Sequence, residues 1–429
     1  MSPMRRSPIC RSSSTSCRAR PSRSPASTTR CNERVVATVC IDCRYVGQRP
    51  SGIGEVVRGL IDHLPALAPD LHFRLLRNPA HRGRLSEAPN VSEQVVSQVA
   101  NGPATMWWLP RVADLSGIDL FHATFNTLPA GLAMPCVVTV HDVMRLTHPG
   151  WCRTGVRGAV EAAFYGHGLR RAIRSADAIA AVSGATARAI ADWHPAAATR
   201  TVVTLSGVSP RFRPGDPDPE RLAALGLSPG RPFVLTVGQN APYKNQGGAV
   251  HAFALAFAQD PAFELVIVQR QGAGSRALAR LARALGIGDR VRFLRTVDGE
   301  ALLTLYQAAQ VLLHPSFAEG FGNPMAEAMA CGCPVVTSDV SAMPEVAGGA
   351  ALLADPHDPA AIAARLIAVT RDPALAASMR EAGIVRAGEL QWRDFAAANL
   401  AIYRRVLARR PVQHFRQRFS VGRSVNIGT

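Results

Sequence analysis

Short apolar runs separated by segments of helical period organise this chain. The first run, residues 35–41, is rich in β-branched side chains and ends at Asp42, where a turn rich in Gly and Pro follows. Ser51-Gly52-Ile53-Gly54 then opens a stretch in which Val56, Val57, Leu60 and Leu64 recur at helical spacing. Further runs at 71–76, 119–121, 137–140, 178–182 and 202–205 alternate with helix-like segments. Strands this apolar, joined through helices, predict a parallel sheet covered on both faces. Residues 210–232 break the rhythm with six prolines, among them Pro214, Pro217 and Pro219, and read as a linker. The alternation then restarts with candidate strands at 233–237, 264–268, 291–294, 311–314 and 335–337. Ala-rich helices at 278–285 and 300–309 lie between them, and helical patterns at 359–371 and 373–387 follow. A last helix over 392–407 is expected to return to the first half.

The pattern predicts an α/β chain of two doubly wound domains, over 35–209 and 233–391, joined by the linker 210–232 and followed by the returning helix within 392–410. Basic tails occupy 1–34 and 411–429. In tandem, two such domains can turn their strand carboxyl ends toward one cleft, and ligands of open α/β sheets bind at those ends.

Composition changes this picture only at the margins. A chain of 429 residues, 47% hydrophobic, has material for two cores. No apolar run approaches the roughly 20 residues that span a bilayer. The net charge of +17 suggests nucleic acid until its distribution is read. Eight Arg against one Glu in residues 1–34, and seven Arg with no acid in 404–429, leave only +3 for the long middle. No nucleic-acid partner is expected. Residues 1–34, rich in Ser, Arg and Pro, read as disordered: either a transit-like segment or translation from an upstream start. The C-terminal Arg cluster is either a solvated tail or a contact with anionic lipid, at about 1 kcal/mol per basic residue. Nine scattered cysteines form no disulfide framework and point to a reducing compartment. A cytoplasmic location follows, with peripheral contact at the inner face of the plasma membrane if the tail binds lipid. Cys40-x-x-Cys43 has redox or zinc spacing, yet no matching second pair follows, and Cys40 reads as a core thiol.

The richest chemistry lies in Glu319-Gly320-Phe321-Gly322-Asn323-Pro324-Met325-Ala326-Glu327, where a loop ends and a helix begins. Asn323 is suited to cap that helix and Pro324 to its first turn. Unpaired N–H groups and the helix dipole make the terminus an anion site, fit for a phosphate. Glu319 can reach a polar group beside that phosphate, and Glu327 can accept hydrogen bonds from paired hydroxyls. Phosphate flanked by hydroxyls describes a nucleotide-sugar; the plain alternative is a capped surface helix with two solvated glutamates.

Three other loops, and the Glu319 loop itself, start at strand ends. Gly52 and Gly54 permit close approach to a phosphate or merely make a tight turn; with Val57 at the third glycine position they are no dinucleotide fingerprint. His141, beside Asp142 after the run 137–140, can serve a sugar hydroxyl, carry a proton, or satisfy loop carbonyls. Lys244 follows Gly238 and the run 233–237, and is the sole Lys between residues 231 and 310, where a compact cation could face a diphosphate. His314-Pro315-Ser316 leads straight into the Glu319 loop. All can converge on one cleft. Trp107 and Trp108, in the variable stretch 81–110, read as a buried aromatic pair or as a lipid or glycan contact.

Together these segments resemble the retaining glycosyltransferases of family 4, whose GT-B fold sets two Rossmann-like domains face to face. The resemblance runs from about Val35 to Leu407. It is carried by the E-x7-E segment Glu319–Glu327 and by 311–316, with support from Ser51-Gly52-Ile53-Gly54, His141-Asp142, Ala181-Val182-Ser183 and Pro242-Tyr243-Lys244-Asn245. The last motif and the His-Asp loop look similar to mannosyl- or rhamnosyltransferase-like members that build surface polysaccharides.

The resemblance implies transfer of a hexose from a nucleoside diphosphate sugar to a glycan or lipid-linked acceptor hydroxyl, in polysaccharide or glycolipid biosynthesis, with retention of configuration and without a metal or other cofactor. It assigns acceptor binding to the first domain and donor binding to the second. Lys244 would neutralise the diphosphate with N–H groups of Gly322 and Asn323. Glu319 would meet the donor sugar's hydroxyls, Glu327 the ribose, and the strand-end loop 295–297 the base, with Gly238, Thr296, Val297, Gly320 and Phe321 counted among the donor-binding residues. His141 would touch the sugar from the opposite domain, and Gly52 and Gly54 the diphosphate or acceptor. Many relatives carry an Arg shortly before the lysine; here Gln239, Asn240 and Tyr243 fill that stretch, so either Arg270 supplies the charge or donor binding is weaker. Glu55 stands where relatives often place a basic residue. A GT-B epimerase or phosphorylase, or a non-catalytic sugar-nucleotide-binding protein, would use a similar cleft.

Overall fold

The computed structural model describes residues 36–47, 52–151, 155–228, 230–269, 273–295 and 297–409. Thirteen strands among them build two sheets. The first contains β1 (Thr38–Asp42), β2 (His72–Arg77), β3 (Val91–Val95), β4 (Leu120–Ala123), β5 (Cys136–Val140), β6 (Ala178–Ala181) and β7 (Thr201–Val203), in the order β3-β2-β1-β4-β5-β6-β7. The second contains β8 (Phe233–Val237), β9 (Glu264–Val268), β10 (Val291–Leu294), β11 (Val311–His314), β12 (Val335–Ser338) and β13 (Leu352–Ala354), in the order β10-β9-β8-β11-β12-β13. Every pairing is parallel. These are two doubly wound, Rossmann-like sheets.

Burial explains which strands the hydrophobic pattern reveals. β4, β5 and β6 are buried at every residue, as central strands covered by helices must be. β3 reads Val-Ser-Glu-Gln-Val and β13 has three residues; both are sheet edges, and neither pattern predicted them. One covered face or one bonded neighbour leaves only a weak apolar signal. Cys40 and Cys43 are free and buried, and burial pushes both thiols up.

Four helices matter for the site: α1 (Gly52–Ile61), α2 (Gly184–Trp193), α3 (Asn323–Ala330) and α4 (Trp392–Ala408). α4 packs Trp392, Phe395, Leu400 and Tyr403 into the core of the first sheet. The Tyr403 hydroxyl lies 2.6 Å from His122 Nδ1, whose Nε2 lies 2.8 Å from Thr139 Oγ1. Between the sheets, residues 210–232 are not merely extended. Asp218 caps a helix at Pro219–Ala224 by accepting from Glu220 N and Arg221 N, and Phe212, Leu222 and Leu227 join the second core.

Trp107 and Trp108 correct the buried-pair reading: they are 39% and 47% exposed. Helix Pro103–Val112 buries Thr105, Met106 and Leu109, and that stripe turns 107 and 108 outward. Among the described residues no helix is long and apolar enough to cross a membrane. The basic tails 1–34 and 411–429 lie outside the described residues.

Candidate active site

Both key loops leave the second sheet at its switch in strand order. β8 and β11 are neighbours, and Lys244 follows the first while Glu319 follows the second. Lys244 ends a short turn, Pro242–Lys244, closed by Asn245 in left-handed backbone at φ +49°. Asn245 then caps the helix Gln246–Ala256 by accepting from Gly248 N. The stem of Lys244 lies over Gly238, 3.4 Å from where a Cβ would stand. Lys244 is the chain's sole lysine.

Lys244 Nζ lies 2.6 Å from Glu319 Oε1, and the two side chains are 12% and 10% exposed. Ser316 Oγ donates to the same oxygen at 2.8 Å, and His314 Nε2 lies 3.1 Å from it. Burial by itself would raise the Glu319 carboxyl, but the Lys244 charge and the His314 hydrogen bond outweigh it and hold the pKa at about 2. The Ser341 hydroxyl bonds both the N–H and the carbonyl of Glu319, at 3.1 and 2.8 Å. His314 and Ser316 were not assigned side-chain roles from sequence. Their spacing of two at a strand end was the available signal, since it puts both on one face.

The Asn323 cap is corrected. Gly322, at φ +98°, occupies the N-cap position, and Asn323 and Pro324 are the first two residues of α3. Glycine adopts that backbone without strain, which frees the Asn323 amide. Its Nδ2 reaches to 3.0 Å from where a Cβ on Gly52 would sit. The N-termini of α1 and α3 therefore meet across the cleft, each bringing the partial positive charge of its helix dipole. Gly54 is buried within α1.

Gly320 touches the carbonyl of His141 so closely that any Cβ would overlap it. The Thr186 hydroxyl is shared between the carbonyls of His141 and Gly320, at 3.3 and 3.4 Å. His141 Nε2 lies 2.9 Å from the Thr124 carbonyl, which only accepts, so this nitrogen carries the proton. Burial lowers the ring's pKa, leaving Nδ1 as an acceptor rather than a donor toward any sugar hydroxyl. Phe321 is 6% exposed and belongs to the second core, so only its backbone remains for a ligand.

Glu327 Oε2 accepts from the Tyr306 hydroxyl at 2.9 Å. Burial pushes its carboxyl up to about 7, against the Tyr306 bond and the Arg211 charge. Glu55, the acid in place of a basic residue, pairs with Arg211 at 3.4 Å. Arg211 also borders Gly299, near Val297, whose side chain packs against the second core. Thr296, Arg270 and Ser51 lie outside the described residues. Asp216-Pro217-Asp218 has the Asp-x-Asp spacing of a metal-binding pair, but Asp218 is committed to its helix cap and to Arg221 at 3.1 Å.

A further contact across the cleft was not legible in the sequence. Glu345 accepts from Gly184 N at 2.7 Å and Ala185 N at 2.9 Å, placing a carboxylate from the second half on the N-terminus of α2. With these contacts made, the gap among Glu55, Asn323 and Glu327 holds only about 10 Å3. Larger cavities lie beside Glu319, about 250 Å3, and at the linker around Pro210, Arg213 and Trp392, about 270 Å3. The linker cavity contains none of the residues gathered at the cleft.

Comparison with known proteins agrees with this geometry. Residues 50–212 match the family described as Glycosyltransferase Family 4, and residues 218–386 match Glycosyl transferases group 1. The chain is 29% identical over 294 residues to the O-antigen chain mannosyltransferase B of Escherichia coli, covering 66% of this chain and 74% of that protein. It is 32% identical over 317 residues to the D-inositol 3-phosphate glycosyltransferase of Mycolicibacterium vanbaalenii, covering 68% of each. Its fold matches the Anabaena protein HepE, solved with UDP and glucose, at a TM-score of 0.61 and 18% identity over 87% of this chain and all of that one. Two facing parallel sheets, the Glu319–Glu327 helix terminus and these relatives agree: the chain is a glycosyltransferase of GT-B fold and belongs to family 4.

Proposed function

We propose that this enzyme moves a hexose, mannose or rhamnose, from a nucleoside diphosphate sugar to a hydroxyl of a glycan or lipid-linked acceptor, with retention of configuration and without a metal. The observation that carries the reading is the Lys244–Glu319 contact at 2.6 Å, beside the N-termini of α1 and α3. A departing diphosphate needs positive charge held in place, and a buried ammonium with two helix termini supplies it. On donor binding Lys244 turns to the diphosphate and Glu319 to the sugar hydroxyls. Glu327 takes the ribose hydroxyls, and the backbone of Gly320, Phe321, Gly322 and Asn323 lines the path between them. The leaving phosphate accepts the acceptor's proton on the same face, so no carboxylate acts as nucleophile. A mannosyltransferase relative supports the sugar, and the UDP complex of a protein of the same fold supports the donor class.

Thermal unfolding with GDP, UDP, ADP and their sugars tests this. A nucleotide present at about 100 times its Kd stabilises the chain by ~2.7 kcal/mol, and mass spectrometry of the products then identifies the sugar transferred. The reading fails if none of the nucleotides raises the melting temperature at millimolar concentration.

A further inference from the structure

The cavity of about 250 Å3 beside Glu319 includes none of Gly52, Asn323 or Glu327, the residues assigned above to diphosphate and ribose. Its walls come from both halves. On one side the rings of His148 and Trp151 stack at 3.9 Å and 12°. On the other stands Phe317, 5.7 Å from Trp151 and stacked at 4.6 Å on His357. Four rings, His148, Trp151, Phe317 and His357, therefore run in sequence from one half to the other, with the first three lining the cavity. Asp142 lines the same cavity, its Oδ1 fixed by the N–H of Met144 at 3.0 Å.

We propose that this cavity is the acceptor subsite and holds one pyranose ring of a glycan acceptor. A pyranose has an apolar C–H face and a rim of hydroxyls. Trp151 and Phe317 offer that face a flat, weakly polar surface, while the Asp142 carboxylate accepts from hydroxyls of the rim. The volume lies below the roughly 300–1,000 Å3 of sites for larger ligands, which suits a single ring. Glu319 forms part of the wall, so a hydroxyl of the bound ring stands next to the donor sugar assigned to that residue. Since Trp151 and Phe317 belong to different halves, the subsite is complete only when the halves close, and acceptor binding and closure favour each other. The inference rests on the transferase reading for its link to donor chemistry, but binding of the ring can be measured separately.

The probes are the methyl glycosides of mannose, rhamnose and glucose, with mannitol as an acyclic control, in the presence of saturating GDP or UDP. Saturation-transfer NMR is expected to show magnetisation passing from aromatic protons to ring C–H protons of at least one glycoside and not to mannitol. Trp151→Ala and Phe317→Ala should each weaken that glycoside roughly 10-fold. Phe317→Leu, which keeps apolar bulk but loses the flat face, should weaken it as well. Nucleotide-induced thermal stabilisation should be unchanged in all three variants. Equal glycoside affinity in the variants, or no transfer to any glycoside in the wild-type chain that binds nucleotide, overturns the subsite. Glycoside binding that depends on these rings in a chain indifferent to every nucleotide would instead sustain the subsite and sink the donor reading.

Discussion

Lys244→Met is the most searching perturbation of the cleft. At 2.6 Å from Glu319 Oε1 the bare attraction is ~6 kcal/mol for an effective dielectric constant of about 20. The descent of the Glu319 carboxyl from 4.5 to about 2 corresponds to only ~3 kcal/mol. The smaller figure governs, because it already includes the desolvation that burial imposes on the carboxylate. Losing the ammonium strands that anion, so Lys244→Met should cost ~3 kcal/mol of stability at pH 7. Adding Glu319→Gln removes the stranded charge and should restore most of the loss. Turnover should not follow: both single variants and the double variant are expected to lose ~2–4 kcal/mol of transition-state stabilisation in kcat/KM. Because the folded carboxyl titrates below its unfolded value, its contribution is present above pH 4.5 and is lost as pH falls through about 2. Urea titration followed by circular dichroism measures the stabilities, and steady-state transfer measures the rest. A Lys244→Met chain as stable as wild type, or a double variant with normal turnover, would refute the reasoning.

Two further outcomes are expected. Glu327, with its carboxyl near 7, has a folded pKa above its unfolded one, so its stabilising effect is present below pH 4.5 and lost as pH rises through 7. Glu327→Gln should thus raise the urea midpoint at pH 8 but not at pH 4, and equal shifts at both would count against the assignment. Glu345→Ala removes the acceptor of two N–H groups at α2, at ~1–3 kcal/mol. Small-angle scattering should then show a more open chain and assays a lower kcat, whereas an unchanged radius of gyration would show that Glu345 does not hold the halves together.

Much of the fold was legible because central strands must be apolar on both faces. The runs at 137–140 and 311–314 announced β5 and β11 in that way, whereas the edge strands β3 and β13 had no such constraint to display. The Glu319 loop was legible for a different reason: Gly322 and Pro324 are local signals of backbone, read without knowing any neighbour. Even there, the choice between Asn323 and Gly322 as the cap turned on a backbone angle of +98° that no residue name specifies. Tyr306, Glu345 and Arg211 were silent because each is an ordinary residue with no local motif around it.

By itself, then, the order of residues determined the central elements, their parallel arrangement and the kind of group each strand-end loop presents, since these depend on spacing and on chemistry within a few positions. Tertiary structure alone decided the partners. Lys244 meets Glu319 across 75 residues, and Glu345 reaches Gly184 across 161. It also decided that His141 spends its proton on Thr124 and that Phe321 turns into the core. Such choices follow from which surfaces packing brings together and how much water it removes, quantities that belong to the folded chain and not to any segment of it.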